Sequence, residues 1–353
     1  MAYTTVNKPS DHFKVKTYTG NGSTNAITGV GFKPDWTLLK DRNDTSGTRS
    51  YDSVRGVIKR IRTDTNDGQV DDSDGLTAFG TDGFTLGADG ATNANSNTYV
   101  AWNWKAGTTG SGTTTGTGTA KAYSYSVNTA AGFSIIKYLG NGNAGQQIPH
   151  HLGAVPHLIL LKPLDRTDNW RVYHHNLNMT SPANYQLKLN STNTIDSGSD
   201  VWNDTIPTST YFTLGSNAGV VTNDENFIAY CFTQKTGYSK FGRYAGNGSS
   251  SSPPFIYTGF KPTFVITKKV SGSSDHWYLV DDKRIGYNEK NYGLYPNLTN
   301  VEYTGNAYNV NLYSNGFSPV TTDPMLNGDG VSYVYIAFGQ TLVGSNNVVT
   351  NAR

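Results

Sequence analysis

The sequence contains very little of what a disulfide scaffold or a membrane protein needs. Cys231 is the only cysteine among 353 residues, so no disulfide can form within the chain. No window approaches the roughly 18 consecutive apolar residues of a membrane-spanning helix, so we expect no membrane insertion. The first residues contain no apolar core, and we therefore expect synthesis in the cytoplasm without a signal peptide.

Charged side chains are also scarce. Asp, Glu, Lys and Arg make up 15% of the residues, and the formal net charge is +2. A balance this close to neutral gives no general attraction to a phosphate backbone. The one basic stretch, residues 59–62, is interpreted as a solvated strand end. We therefore expect no nucleic-acid partner.

The residue types that are abundant favour β-structure. The chain has 39 glycines and 23 tyrosines, and Tyr, Thr and Val suit a pleated surface. Glycine and asparagine suit the tight turns between strands. Long runs of Ala, Glu, Lys and Leu, which a helical protein would show, are missing. The composition predicts an all-β fold.

Four ordered markers occur three times along the chain. The first is Tyr-x-Gly-Asn-Gly, a turn or bulge signal. The second is Gly-x-x-Pro followed by an apolar run that ends in lysine, the third centres on a phenylalanine, and the fourth is an alternating aromatic segment. In the same order they lie at residues 18–22, 31–40, 83–87 and 99–104, then at 138–142, 153–162, 211–215 and 227–232, then at 244–248, 259–268, 316–319 and 333–338.

This pattern predicts three tandem β-sandwich repeats of a jelly-roll or lectin-like type. The alternating closing segments predict strands buried on one face only. The Gly/Thr-rich stretch between the first two repeats predicts a flexible tether, so the first repeat could be placed separately. The predicted boundaries are an N-terminal segment 1–11, repeat 1 at 12–107, a linker at 108–131, repeat 2 at 132–236, repeat 3 at 237–340 and a tail at 341–353.

A search for catalytic motifs finds none. Residues 140–145 match a dinucleotide fingerprint, but the corresponding turns of the other repeats do not, and no helix is predicted after any of them. No nucleophile elbow, phosphate-binding loop or zinc-binding histidine motif occurs. Four acids, Asp165, Asp168, Asp281 and Asp282, are interpreted as turn and surface residues. We therefore expect no catalytic residue, and we expect Cys231 to be a buried apolar side chain.

We likewise expect no cofactor and no metal site. The densest group of carboxylates lies at residues 64–74, and its spacing does not match a twelve-residue calcium loop. The corresponding loops at 190–193 and 297–300 lack acids. A solvated loop is the favoured interpretation, and a structural Ca²⁺ is the alternative.

Two tryptophans lie at corresponding places in repeats 2 and 3. Trp170 and Trp277 follow an acid and precede an apolar strand. Flat aromatic rings on a sandwich surface can stack on sugars, which makes both residues candidates for carbohydrate contact. A recurring tryptophan inside a strand is more often part of the core, so a core position is the favoured interpretation and carbohydrate contact is the alternative.

The markers also carry a family resemblance, most specifically in residues 18–36, 51–56, 76–79, 82–87, 99–107 and 237–242. Over nearly its whole length the chain resembles a family of marine bacteriophage proteins, chiefly from phages of cyanobacteria and related hosts. The family is described as a phage domain of unknown function, sometimes as tail-fibre-like or lectin-like. The resemblance implies a virion protein and brings no catalytic residues.

Three functions follow as expectations. The first is an exposed tail-fibre or appendage protein that attaches to the host surface, and the second is a capsid decoration or cement protein. A polysaccharide depolymerase is the third alternative, and no motif supports it. We expect location on the particle surface, partners among other virion proteins, a host cell-surface glycan as a further partner, and assembly as a homo-oligomer.

Overall fold

A computed structural model describes residues 4, 6–285, 288 and 292–341. The predicted all-β fold is confirmed: the described part contains six sheets, and every paired strand is antiparallel to its neighbour. No helix in the described part is long and apolar enough to span a membrane. The predicted tail beyond residue 341 and most of residues 1–5 lie outside the described residues.

Repeat 1 forms two sheets, entered through a short 3₁₀ helix at Pro9–Asp11. Its elements are β1 (Phe13–Thr19), β2 (Asn25–Thr28), β3 (Trp36–Asp41), β4 (Arg49–Asp52), β5 (Gly56–Arg62), β6 (Val70–Asp71), β7 (Leu76–Gly80), β8 (Gly83–Leu86), α1 (Gly90–Asn93) and β9 (Thr98–Trp104). The larger sheet has the order β1-β9-β3-β4-β5-β6, and the smaller has the order β2-β8-β7.

The predicted linker and repeat 2 together form the next two sheets. Their elements are β10 (Thr108–Thr113), β11 (Thr115–Gly116), β12 (Ala122–Asn128), β13 (Phe133–Leu139), β14 (Gln146–Pro149), β15 (Leu158–Pro163), β16 (Arg171–His174), a 3₁₀ helix (Pro182–Asn184), β17 (Tyr185–Lys188), β18 (Asp196–Ser197), α2 (Ser199–Trp202), β19 (Tyr211–Thr213), α3 (Ala218–Val221) and β20 (Asn226–Phe232). The orders are β10-β12-β13-β20-β15-β16-β17-β18 and β11-β14-β19.

Repeat 3 follows after a tight connection. Its elements are β21 (Ser239–Ala245), β22 (Ile256–Tyr257), β23 (Phe260–Lys269), β24 (Trp277–Asp281), β25 (Val310–Leu312), β26 (Gly316–Pro319), α4 (Pro324–Asn327) and β27 (Ser332–Thr341). The sheets have the orders β21-β27-β23-β24 and β22-β26-β25. We call the three larger sheets the central sheets and the three smaller ones the outer sheets; the count of three repeats itself stays a prediction.

The Gly-Asn-Gly markers make the turns that their composition predicts. Their last glycines, Gly22, Gly142 and Gly248, have φ between +67° and +77°. Glycine adopts this left-handed conformation without the clash that a Cβ atom would cause. The turn carries the chain from β1, β13 or β21, the first strand of each predicted repeat, towards the outer sheet of that repeat.

Each central sheet covers a separate core with its own outer sheet. In repeat 1, Leu39 and Tyr99 of the central sheet are buried with Ile27 and Phe84 of the outer sheet. Repeats 2 and 3 have cores of the same kind, built from their own residues. The arrangement is that of a two-layer sandwich, in which side chains of two inner faces fill the space between the sheets.

The opposite faces of the three central sheets pack against one another in a common core. Trp104, Phe232 and Phe338, at the same position of β9, β20 and β27, lie with their ring centroids 5.5 to 6.5 Å apart. These closing strands are consequently buried on both faces. The expectation of strands buried on one face was wrong, because a second layer from the other repeats covers the face assigned to solvent.

The lysine that ends each apolar run ties the repeats together. Lys40, Lys162 and Lys268 are buried, and each ammonium donates hydrogen bonds to one carbonyl of its own repeat and one of another. At 2.8 to 3.1 Å, the acceptors in the other repeat are the carbonyl oxygens of Leu298, Asn66 and Thr192, respectively. Burial lowers the pKa of all three lysines to about 8. The contacts run from repeat 1 to 3, from 3 to 2 and from 2 to 1, which closes a ring.

The expectation of a flexible linker at 108–131, and of a separately placed first repeat, was wrong. Strands β10 and β12 extend the central sheet of repeat 2 beyond β13. Gly110 and Gly112 face Tyr125 and Tyr123, and a Cβ atom at either glycine would lie 2.6 to 2.7 Å from the opposite phenol. The glycines therefore make room for cross-strand tyrosine rings, and the threonines between them favour an extended strand.

Candidate functional site

The two tryptophans considered for carbohydrate contact lie in the common core. Trp170 and Trp277 are 0% and 1% exposed. Each indole N–H donates across a repeat boundary, from Trp170 to the carbonyl of Arg62 at 2.7 Å and from Trp277 to that of Lys188 at 3.0 Å. A ring that is enclosed on both faces cannot stack on a sugar. The carbohydrate interpretation of both residues was wrong, because the neighbouring repeat covers the surface on which they would have been presented.

Repeat 1 has a threonine at the corresponding position. Thr48 immediately precedes Arg49, which pairs with Leu39, just as Trp170 immediately precedes Arg171, which pairs with Leu161. A cavity of about 40 Å³ lies beside Thr48, walled by apolar side chains of all three repeats. The smaller side chain leaves part of the common core unfilled.

Cys231 and two histidines of repeat 2 are enclosed by the protein itself. Cys231 is fully buried, and burial raises the pKa of its thiol. His150 and His174 make ring-nitrogen contacts with backbone carbonyls, and burial lowers their pKa to about 4 and about 3. The fingerprint at 140–145 runs into strand β14 rather than a helix. Within the described part of the chain, no three metal-ligating side chains cluster.

The acids are similarly engaged. In the 64–74 group, Asp64 pairs with Arg62, and Asp71 pairs with Lys59 at 2.7 Å. Asp281 is buried against Arg284 at 2.8 Å. Side chains that already balance one another's charge do not form the open carboxylate pair that a glycosidase requires.

Exposed aromatic rings mark a different place in the molecule. All six tryptophans are buried, and among the aromatic residues in the described part only Phe255 and Tyr257 are more than half exposed, at 52% and 53%. Both belong to the short stretch that enters the outer sheet of repeat 3, where Ile256 between them points into the core. Alternation along an extended strand places the two rings on the same outer face.

These rings line a groove along β21, which is the edge strand of its central sheet. The groove encloses about 560 Å³ between β21, the Pro254–Tyr257 stretch and the His175–Asn176 loop of repeat 2. A second depression of about 380 Å³ adjoins it and shares Gln234, Lys240 and Tyr257. We call the two together the edge groove. Its size is that of a typical binding cleft for a small molecule or a few sugar units.

Backbone geometry opens the floor of the edge groove. A Cβ atom at Gly242 would lie 2.4 Å from the Tyr335 ring, and one at Gly316 would lie 2.7 Å from Phe255. Either would force the neighbouring ring to move. One side of the wall is fixed by His175, whose Nε2 lies 2.6 Å from the carbonyl oxygen of Phe241 on β21. The groove is therefore formed by β21 together with two short segments, residues 175–176 and 254–257.

The charge of the edge groove is positive. It contains Lys240 and Arg243 and no Asp or Glu. Neither cation forms an ion pair with any residue of the described ranges. The Lys240 ammonium donates to the carbonyl of Tyr257 at 2.8 Å and lies 5.2 Å from that ring's centroid. Burial lowers the pKa of Lys240, and no carboxylate counteracts the shift.

A family comparison covers almost the whole molecule. Residues 8–341 match a domain of unknown function, DUF7483. The chain belongs to this family. No curated protein and no solved structure shows significant similarity to it.

Within this DUF7483 chain, the edge groove is specific to repeat 3. Strand pairing places Ala26 and Thr28 of repeat 1 where repeat 3 has Phe255 and Tyr257. Repeat 2 has Gln147 and Pro149 at these positions, and its first strand is covered by β12 and β10. The signal in the sequence was this departure from the repeat, since aromatic residues occupy solvent positions in one copy only. The repeats were compared for what they share, so the difference was missed.

Proposed function

We propose that this protein is a surface-exposed component of a bacteriophage particle that attaches to the host cell through the edge groove. The observation that carries the proposal is the pair of exposed rings, Phe255 and Tyr257, beside two cations without ion-pair partners. Contiguous exposed aromatic surface next to convergent polar groups is typical of a binding site. The resemblance to phage proteins supports a location on a phage particle. Of the candidate acids, Asp168, Asp281 and Asp282 are paired with cations, which supports a role in binding rather than in catalysis.

Competition for adsorption tests the proposal. Purified protein added in excess to host cells should block adsorption of the phage that encodes it, and antibodies against the chain should label intact particles. The variant Phe255→Ala/Tyr257→Thr, which places the residues of repeat 1 into repeat 3, should not compete. Failure of the unaltered protein to compete, or labelling restricted to disrupted particles, would contradict attachment.

The common core favours a second candidate, capsid decoration. The three central sheets, of six, eight and four strands, surround one aromatic centre in an approximately threefold arrangement, which suits a threefold position on a symmetric shell. The number of copies per particle separates the two roles. Hundreds of copies would favour decoration, whereas a few would favour an appendage.

A further inference from the structure

We infer that the ligand of the edge groove is an anionic polysaccharide, one whose pyranose units carry carboxylate or sulfate groups. This ligand class rests on the proposed function in one respect, which is that the edge groove faces the host cell. It names the chemistry of the ligand, which the arrangement of rings and cations determines.

The rings account for the sugar. Phe255 is held from below by Gly316 and from the side by Tyr313, whose ring centroid lies 5.8 Å away. The Lys240 ammonium donates to the Tyr257 backbone carbonyl and lies 5.2 Å from the centroid of the Tyr257 ring. Phe and Tyr side chains have only two torsion angles, so they lose little conformational entropy on binding. The apolar C–H face of a pyranose can pack on such rings while its hydroxyl groups remain in water.

The cations account for the charge. Lys240 lies at the boundary between the two depressions. Arg243 lines the first of them, with its Nη1 3.4 Å from the carbonyl oxygen of Leu177, and its side chain leaves β21 on the face opposite to that of Lys240. Neither has a carboxylate partner among the described residues. An ammonium and a guanidinium without counterions attract carboxylate and sulfate oxygens and gain charge-assisted hydrogen bonds.

Polar groups suited to sugar hydroxyls complete the lining. Gln234 is exposed and shared by both depressions, and Asn176 lies in the first. Side-chain amides and hydroxyls both donate and accept, which matches the hydroxyl groups of a sugar. A single-stranded nucleic acid would also offer negative charge and flat bases that stack on aromatic rings, so an oligothymidylate serves as the competing probe.

Binding of defined polymers tests the inference. The probes are dextran sulfate and unmodified dextran, which share a backbone and differ in charge, together with polygalacturonate and an oligothymidylate. We expect retention on dextran sulfate or polygalacturonate, little on dextran, and about a tenfold loss of affinity in Lys240→Ser or Phe255→Ala/Tyr257→Thr. Lys14→Ser, at the corresponding edge-strand position of repeat 1, is the matched control and should bind like the unaltered protein.

Three results would overturn the inference. They are equal binding of dextran and dextran sulfate, tighter binding of the oligothymidylate than of both charged polysaccharides, and an equal loss in Lys14→Ser and Lys240→Ser, which would indicate attraction by charge alone. Unchanged thermal unfolding of each variant shows that it has folded. If polysaccharide binding holds while adsorption is not blocked, the attachment proposal fails alone; if adsorption is blocked without polysaccharide binding, the ligand class fails alone.

Discussion

The common core and the edge groove use the same aromatic residue types under opposite conditions. In the common core, the rings of Trp36 and Tyr230 stack with centroids 4.3 Å apart, and both side chains are fully enclosed. In the edge groove, Phe255 and Tyr257 keep about half of their surface in water. Burial stabilises the fold, since an enclosed aromatic ring removes a large apolar area from water. The half-exposed rings of Phe255 and Tyr257 stabilise the fold much less, so these two residues are the better candidates for binding a ligand.

The largest effect should come from truncating an aromatic residue of the common core. Trp170→Ala removes a buried ring and the hydrogen bond to Arg62, and we expect the free energy of unfolding to fall by about 3–5 kcal/mol. Urea denaturation measures it, with Phe255→Ala as the exposed control. A loss below about 1 kcal/mol would show that the repeats do not depend on their shared core.

Buried polar contacts between repeats should matter next. The hydroxyl of Tyr230 donates to Asp52 at 2.7 Å, and Asp52 also pairs with the buried Arg55. Tyr230→Phe leaves a buried carboxylate oxygen with one partner fewer, and we expect a cost of about 1–3 kcal/mol. Tyr257→Phe is the exposed control. Equal stability of the two variants would indicate that water reaches Asp52.

Acid should weaken the contact between repeats 2 and 3. The Nε2 atom of His174 lies 3.2 Å from the carbonyl oxygen of Tyr335, and burial lowers the His174 pKa to about 3 from an ordinary value near 6.5. Between these values the unfolded chain binds the proton and the folded chain does not, so stability falls as the pH drops below 6.5.

From the protonation of His174 alone, we expect the free energy of unfolding to fall by about 1–2 kcal/mol between pH 7 and pH 5. The measurement is urea unfolding of the unaltered protein and of His174→Gln at both pH values. The variant should lose less stability on acidification. Identical pH dependence of the two proteins would refute the role assigned to His174.

Thr48 of repeat 1, beside the cavity, lies where repeats 2 and 3 have a buried tryptophan, so a change at this position tests how filling of the common core affects stability. Thr48→Val removes a hydroxyl from an apolar wall and keeps the shape, and we expect stability to rise by about 0.5–1 kcal/mol. Thermal unfolding measures the change. Destabilisation would show that the hydroxyl has a partner that the apolar wall conceals.

The smallest effect on stability is expected in the edge groove. Phe255→Ala/Tyr257→Thr should change the free energy of unfolding by less than about 0.5 kcal/mol, since both rings are half exposed. The same variant should show the largest loss of polysaccharide binding. A strong destabilisation would mean that the rings belong to the core of repeat 3, and the contrast between the two regions would disappear.

Local chemistry predicted much of the fold. The apolar runs that end in Lys40, Lys162 and Lys268 form strands, and the Gly-Asn-Gly turns have the left-handed glycines that their composition required. These features depend on neighbours in the chain, and backbone preference and side-chain alternation are properties of short segments. The buried tryptophans were also recognised as one of two alternatives.

What failed were the inferences that depended on which surfaces meet. Gly110 was expected in a flexible tether, but it lies in a paired strand opposite Tyr125. Trp170 was favoured as a core residue, with a sugar-binding surface as the alternative. No local pattern distinguishes these cases, because the partner lies on a different strand or a different repeat. The exposed rings at 255 and 257 differ from these cases, since their departure from the repeat pattern is visible in the sequence.

The order of residues by itself determined that this chain forms antiparallel sheets, where its strands turn, and that no disulfide holds it together. The tertiary structure decided that both faces of each central sheet are covered, and it left an open groove beside the edge strand β21. The physical reason is that strand formation is set by neighbouring residues, whereas burial is set by the surface area that distant strands remove from water.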